Sequence, residues 1–140
     1  MDYEFLDIAI EAGVATVTIN RPDVLNGLHP ASHRELEMVW SDLGENDEVR
    51  AAILTGAGRA FSAGGDLKDM EERLRTDPHG GSGISPASGR RIVYNLLDFE
   101  KPLIGAINGH AIGLGATLGL LCDIVISSEK AKWGDPHINI

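Results

Sequence analysis

The sequence holds one cysteine, few aromatic side chains and far fewer basic than acidic residues, and each shortage excludes something. A lone cysteine, Cys122, cannot close an internal disulfide. Its neighbours Gly119, Leu120, Leu121 and Ile124 mark it as a buried thiol of a reducing compartment rather than a nucleophile. Twelve Lys and Arg against twenty-one Asp and Glu give a net charge of -9, which opposes non-specific binding to nucleic acid and to anionic membranes. An anionic ligand must then be held by local donors. The opening stretch Met1 to Asp7 is acidic and lacks the basic region and apolar run of a secretory signal, so a cytoplasmic location is expected.

One stretch lacks charge altogether. The twenty positions from Leu103 to Cys122 contain no Asp, Glu, Lys or Arg, the length of a membrane span. Asn108, His110 and five glycines interrupt it, and Lys101-Pro102 and Asn108-Gly109 punctuate it like a strand that turns into a helix. A buried strand followed by a buried helix is expected, with no membrane span.

What is present describes a globular domain. The 140 residues are 43% apolar and 24% charged, enough for one core that removes about two thirds of the unfolded surface from water. The 17 glycines indicate a backbone that turns tightly or approaches something closely.

Alternation of Leu6, Ile8 and Ile10, and of Ala15, Val17 and Ile19, predicts two half-buried strands joined at Glu11-Ala12-Gly13. Leu36, Val39, Trp40 and Leu43 share one face of a helix over about Pro30 to Leu43. Its start is either a Ser32/Glu35 capping box or Pro30 at the first position capped by His29. Ala51 to Thr55 reads as a strand; Leu67, Met70 and Leu74 as a helix with Asp66 in or near its first turn; and Thr76 to Gly89, rich in Gly, Ser and Pro, as a mobile excursion. Ile92, Leu96 and Phe99 predict another helix, Leu103 to Ile107 a buried strand, Gly113 to Leu121 a buried helix and Asp123 to Ser127 a further strand. Such alternation favours an α/β fold with a helix-flanked sheet.

Two glycine-rich segments are candidates for chemistry: Gly56 to Leu67 and Asn108 to Leu118. Each enters a helix, where small residues let a ligand lie against main-chain N–H groups. If those amides converge, they form an oxyanion hole. Neither segment is a phosphate loop or a dinucleotide fingerprint.

Gly58-Arg59-Ala60-Phe61-Ser62-Ala63-Gly64-Gly65-Asp66-Leu67, followed by Lys101-Pro102-Leu103-Ile104-Gly105-Ala106-Ile107-Asn108-Gly109-His110-Ala111-Ile112-Gly113-Leu114-Gly115, resembles the enoyl-CoA hydratase/isomerase, or crotonase, family. Asn20-Arg21-Pro22, Asn26-Gly27-Leu28, Cys122-Asp123-Ile124 and Ala131-Lys132-Trp133-Gly134 extend the likeness along nearly the whole chain. The resemblance implies a spiral of repeated strand-strand-helix units in which residues 1–140 are the N-terminal core portion, incomplete at the C-terminus. It implies oxyanion amides at Gly65 and Leu114 and contacts to an acyl-CoA from Asn26, Gly27, Leu28, Ala63, Asp66, Leu67 and Gly113. Coenzyme A enters as part of the substrate, with no permanently bound cofactor and no metal, and a trimer or dimer of trimers is implied for the full-length protein.

The resemblance also marks departures. The two glutamates that manage water in a standard hydratase of the family fall at Thr117 and His137. Threonine orients water but is no base near neutral pH, whereas histidine titrates near neutrality and can move a proton. His110 is a weaker candidate, and Asp66 is expected to accept local amide hydrogen bonds. Arg21, Arg59 and Lys68 are possible phosphate contacts. The expected activity is therefore stabilisation of an acyl-CoA enolate, with a carbon-carbon hydrolase of a diketone-type substrate and a noncatalytic acyl-CoA-binding subunit as alternatives.

Overall fold

The computed structural model describes residues 2–77, 79 and 84–136. His137 lies outside the described residues, as does part of the expected excursion at 76–89.

Strands β1 (Leu6–Glu11) and β2 (Val14–Ile19) form an antiparallel hairpin whose turn places Ala12 and Gly13 at positive φ. Along β2 the inward residues Ala15, Val17 and Ile19 are fully buried. β1 is the sheet edge, and there the alternation fades until Ile10 is 38% exposed. A short 3-10 turn, Pro22–Val24, then leads to helix α1 (Pro30–Glu45).

Of the two possible starts for α1, the chain uses His29. Its ring accepts from the Ser32 amide while the Ser32 hydroxyl bonds the His29 main chain. Glu35 is not part of the cap because its carboxylate accepts from the Glu4 and Phe5 amides, at 2.9 and 2.8 Å, fastening the N-terminal segment to the helix. The predicted apolar face of Leu36, Val39, Trp40 and Leu43 is buried.

The chain then repeats a strand-strand-helix pattern. β3 (Ala51–Gly56), β4 (Ala60–Ser62) and α2 (Leu67–Thr76) make one unit, followed by helix α3 (Pro86–Leu97). β5 (Leu103–Ile107), β6 (His110–Ile112) and α4 (Leu114–Leu120) make the next, and β7 (Ile124–Ser127) and β8 (Trp133–Gly134) begin another. The first strand of each unit joins a five-stranded sheet of order β1-β2-β3-β5-β7, parallel from β2 onward. The second strands form a parallel sheet of order β4-β6-β8. The core holds Val17, Ile19, Leu54, Phe61, Ile107 and Leu118 together with the apolar face of α1 and with Ile92 and Leu96 of α3.

One expectation needs correction. Thr76 ends α2 and Pro86 to Gly89 form the first turn of α3, so the excursion is shorter than its composition predicts. Ser85 caps the Ala87 amide and Pro86 takes the first helical position, where its missing N–H costs nothing. The charge-free run Leu103 to Cys122 divides into β5, β6 and α4. Among the described residues no helix is long and apolar enough to cross a membrane.

Asparagine side chains tie successive units together. Asn26, fully buried and left-handed at φ 56°, accepts from the Arg21 amide and donates to the Ala57 and Ala60 carbonyls. Asn108 repeats the device one unit later, donating to the Gly58 and Ala60 carbonyls and accepting from the Gly56 amide. Replacing a buried side chain with several partners leaves each unsatisfied. Asn26→Ala is therefore expected to lower unfolding free energy by about 3 kcal/mol in urea titration, and a loss under about 1 kcal/mol would contradict this role.

Candidate active site

The site grows from the way the two glycine-rich segments are clamped. β4 and β6 pair in parallel, Ala60 beside His110 and Ser62 beside Ala111. Beyond them Gly64, at φ 80°, runs so close to the neighbouring turn that a Cβ there would sit 2.6 Å from the Ile112 carbonyl oxygen. Only glycine combines that φ with that approach. Gly115, in the first turn of α4, lies equally tight on Ser62, whose carbonyl oxygen would be 2.5 Å from an added Cβ.

This clamping decides which amides remain free. Ala63 N–H donates to the Leu25 carbonyl at 2.9 Å and Gly64 N–H to the Ser62 hydroxyl at 3.2 Å. Asp66 N–H donates to the Leu28 carbonyl, which closes a parallel bridge between Leu28 and Gly65. Successive peptide groups of an extended segment point to opposite sides, so the Gly65 N–H faces away from Leu28. In the second segment Gly113 N–H donates to the Gly134 carbonyl, and the Gly113 carbonyl accepts from Thr117 N–H. Leu114 opens α4 and has no residue one turn back to receive its N–H. Among the described residues, neither the Gly65 nor the Leu114 amide meets a main-chain acceptor.

Both residues line one cavity of about 440 Å³. Ala63, Gly113, Leu67 and Thr117 also border it, so six of the residues singled out in the sequence share one space. Thr117 turns its hydroxyl back to the Gly113 carbonyl at 3.3 Å. Met70, Ile84 and Ile112 add apolar wall, and His33 adds an imidazole.

The remaining sequence candidates fall elsewhere. Asn26, Gly27 and Leu28 are buried beneath the first turn and do not line the cavity. Asp66 caps α2 through the Asp69 amide and pairs with Arg21 at 2.9 Å. Arg21 also bonds the Gly27 carbonyl and lies over the Phe5 ring, so it is occupied internally rather than free for a phosphate. Arg59, Lys68 and His110 are exposed and outside the cavity wall. Cys122 donates its thiol to the Leu118 carbonyl, and burial pushes its pKa up to about 11, which keeps it protonated and unreactive. Among the described residues no group of His, Cys, Asp and Glu is placed to hold a metal.

Sequence reasoning passed over His33. It sits among buried neighbours on α1, where a single histidine reads as core. Its position four residues after His29, at the mouth of the first turn, is the only signal the sequence offered.

Comparison with known proteins assigns the chain to a class. Residues 9–140 match the model of the enoyl-CoA hydratase/isomerase family, and the chain belongs to that family. It is 40% identical over 131 residues to the short-chain-enoyl-CoA hydratase of Clostridium acetobutylicum, covering 93% of this chain and 49% of that protein. The 1,2-epoxyphenylacetyl-CoA isomerase of Escherichia coli is 40% identical over 134 residues, covering 93% and 50%. The crystal structure of an enoyl-CoA hydratase from Mycobacterium marinum superposes with a TM-score of 0.85 at 36% identity, over 96% of this chain and 63% of that one. The chain thus spans about half the length of the curated relatives it matches. Its α/β spiral is the crotonase fold.

The Asp66–Arg21 pair carries a pH signature. Burial raises the Asp66 pKa, but the Asp69 amide and the Arg21 guanidinium outweigh it and hold the carboxyl below its usual value. A depressed carboxylate stabilises the fold above the unfolded aspartate pKa, about 3.9, and that contribution is lost as pH falls through the folded pKa. Asp66→Asn is expected to lower stability at neutral pH and to flatten the acid side of the stability curve below about pH 4. Parallel acid-denaturation curves for the two proteins would contradict it.

Proposed function

We propose that the cavity receives the thioester carbonyl of an acyl-CoA and stabilises its enolate oxygen with the Gly65 and Leu114 N–H groups. The observation that carries this reading is the pair of amides without main-chain acceptors opening on one cavity. Removing a proton next to a thioester carbonyl moves an electron pair onto oxygen. Two fixed donors meet that charge at the moment it forms, with no reorganisation, in a wall otherwise built largely from apolar groups. One such donor is worth about 3 kcal/mol of transition-state stabilisation. Leu67, Met70, Ile84 and Ile112 offer the acyl chain an apolar wall.

The family likeness supplies the substrate class, since relatives carry the names enoyl-CoA hydratase and epoxyphenylacetyl-CoA isomerase. Enolate chemistry is favoured over simple hydration. Thr117 stands where a standard hydratase of the family has a glutamate, and its hydroxyl is engaged with Gly113. Coenzyme A enters with the substrate and leaves with the product. Assembly as a trimer or dimer of trimers belongs to the same reading, supported by exposed apolar residues at Leu120, Ile124 and Ile126.

Leu114 permits a test on the amide alone. It is the first residue of α4, where proline fits. Gly113 before it, at φ 55° and ψ -121°, lies in the mirror image of the extended region and has no Cβ to meet the ring. Leu114→Pro thus deletes the N–H while keeping the helix start. It is expected to lower kcat/KM on a short-chain enoyl-CoA by about 10²–10³-fold, whereas Leu114→Ala, which keeps the N–H, stays within a few-fold. Equal activity of the proline and alanine variants would overturn the reading.

A further inference from the structure

Among the described residues, His33 is the single titratable side chain in the wall of the cavity that Gly65 and Leu114 share. It belongs to the first turns of α1, is 5% exposed and lines the cavity. Its Nδ1 lies 3.4 Å from the Ser88 hydroxyl on α3. Ser88 donates its one hydrogen to Glu37 Oε1, and Glu37 Oε2 is held by Arg91 Nε at 2.7 Å. With that hydrogen committed, the Ser88 oxygen can only accept from His33. The proton of the neutral imidazole is thereby set on Nδ1, leaving the lone pair on Nε2. Nε2 has no hydrogen-bond partner among the described residues, yet it is not one of the sealed, unsatisfied polar atoms of the interior. It belongs to a side chain that lines the cavity.

We propose that His33 is the proton-transferring residue of this site, its Nε2 taking a proton from the α-carbon of the bound acyl thioester. The assignment rests on the enolate reading. The Cα–H bond breaks, the proton goes to Nε2, and the electron pair moves through the C–C bond to the carbonyl oxygen, where the Gly65 and Leu114 amides receive it. Return of the proton to the same carbon, or to a conjugated one, restores neutral His33 without any oxidant or co-reactant. The imidazolium formed in between is backed through Ser88 by the Glu37 carboxylate, so Ser88 and Glu37 are positioning residues.

The surroundings suit a base. Burial lowers the His33 pKa more than Glu37 raises it, with His29 lowering it slightly further, so the free-base form prevails at neutral pH. Glu37 on α1 and His29, which caps it, act on the ring, with Arg91 of α3 behind Glu37. The remaining cavity walls contribute no titratable group among the described residues.

The test is α-proton exchange of butyryl-CoA in deuterated water, followed by NMR with the full chain, beside calorimetric binding of the same thioester. His33→Gln is expected to slow exchange by about 100-fold or more while binding changes a few-fold. Glu37→Gln removes a charge that raises the His33 pKa, so the acidic limb of the exchange profile is expected to move to lower pH. Exchange by His33→Gln at the wild-type rate would overturn the role of His33 and leave the enolate reading standing. Wild-type protein that neither binds butyryl-CoA nor exchanges its α-protons would overturn both. Should His33→Gln fail to fold, nitrogen-15 NMR of the wild-type ring decides the matter. A neutral Nδ1–H tautomer at neutral pH supports the proposal, and an Nε2–H tautomer or an imidazolium contradicts it.

Discussion

The structure turns on a close approach of two stretches of main chain. Gly64 presses against the Ile112 carbonyl and Gly115 against Ser62, at separations no side chain could enter. That contact, with the β4–β6 pairing beneath it, decides which N–H groups are consumed and which are left. Ala63, Gly64, Asp66 and Gly113 all donate inward, and Gly65 and Leu114 remain. The stitching by Asn26 and Asn108, both reaching the Ala60 carbonyl, holds the turns in the register this selection needs. On the proposed reading the carbonyl oxygen is held by the backbone, and the Asn26 and Asn108 side chains fix where that backbone lies.

A chain of net charge -9 is a poor general host for an anionic substrate. The described cavity wall answers locally. It contains no carboxylate, its charge-free lining keeps the dielectric low, and dipoles held by the fold act there more strongly than they would in water. Asp66 sits beside the site in sequence but is drawn away by Arg21 and the Asp69 amide. That arrangement keeps the Asp66 carboxylate engaged with Arg21 and the Asp69 amide, and Asp66 does not line the cavity. Arg21, which reads as a phosphate ligand, is instead the partner that makes this possible.

Much of the fold was legible in the residues. The alternation in β2, the α1 face from Leu36 to Leu43 and the breaks around Leu103 to Cys122 each follow from periodicity. β4, β6 and β8 were not legible, because two or three residues carry no period and their pairing depends on contacts distant in sequence. The start of α3 was hidden in a Gly- and Ser-rich composition, although Ser85-Pro86 marks it. At the site, the glycine motifs led to Gly65 and Leu114, and those two do meet at one cavity. The same likeness pointed to Asn26, Gly27 and Leu28, which the packing buries. His33 escaped notice because its role depends on Ser88 and Glu37 arriving from α3 and from the next turn of α1, a coincidence only tertiary structure reveals.

The central claim is that two N–H groups from separate turns address one oxygen. It is tested most directly by a crystal structure of the protein with a bound saturated acyl-CoA. The carbonyl oxygen is expected at about 3 Å from both the Gly65 and the Leu114 nitrogen. A thioester bound in the cavity with that oxygen facing solvent, or within reach of only one amide, would contradict the account.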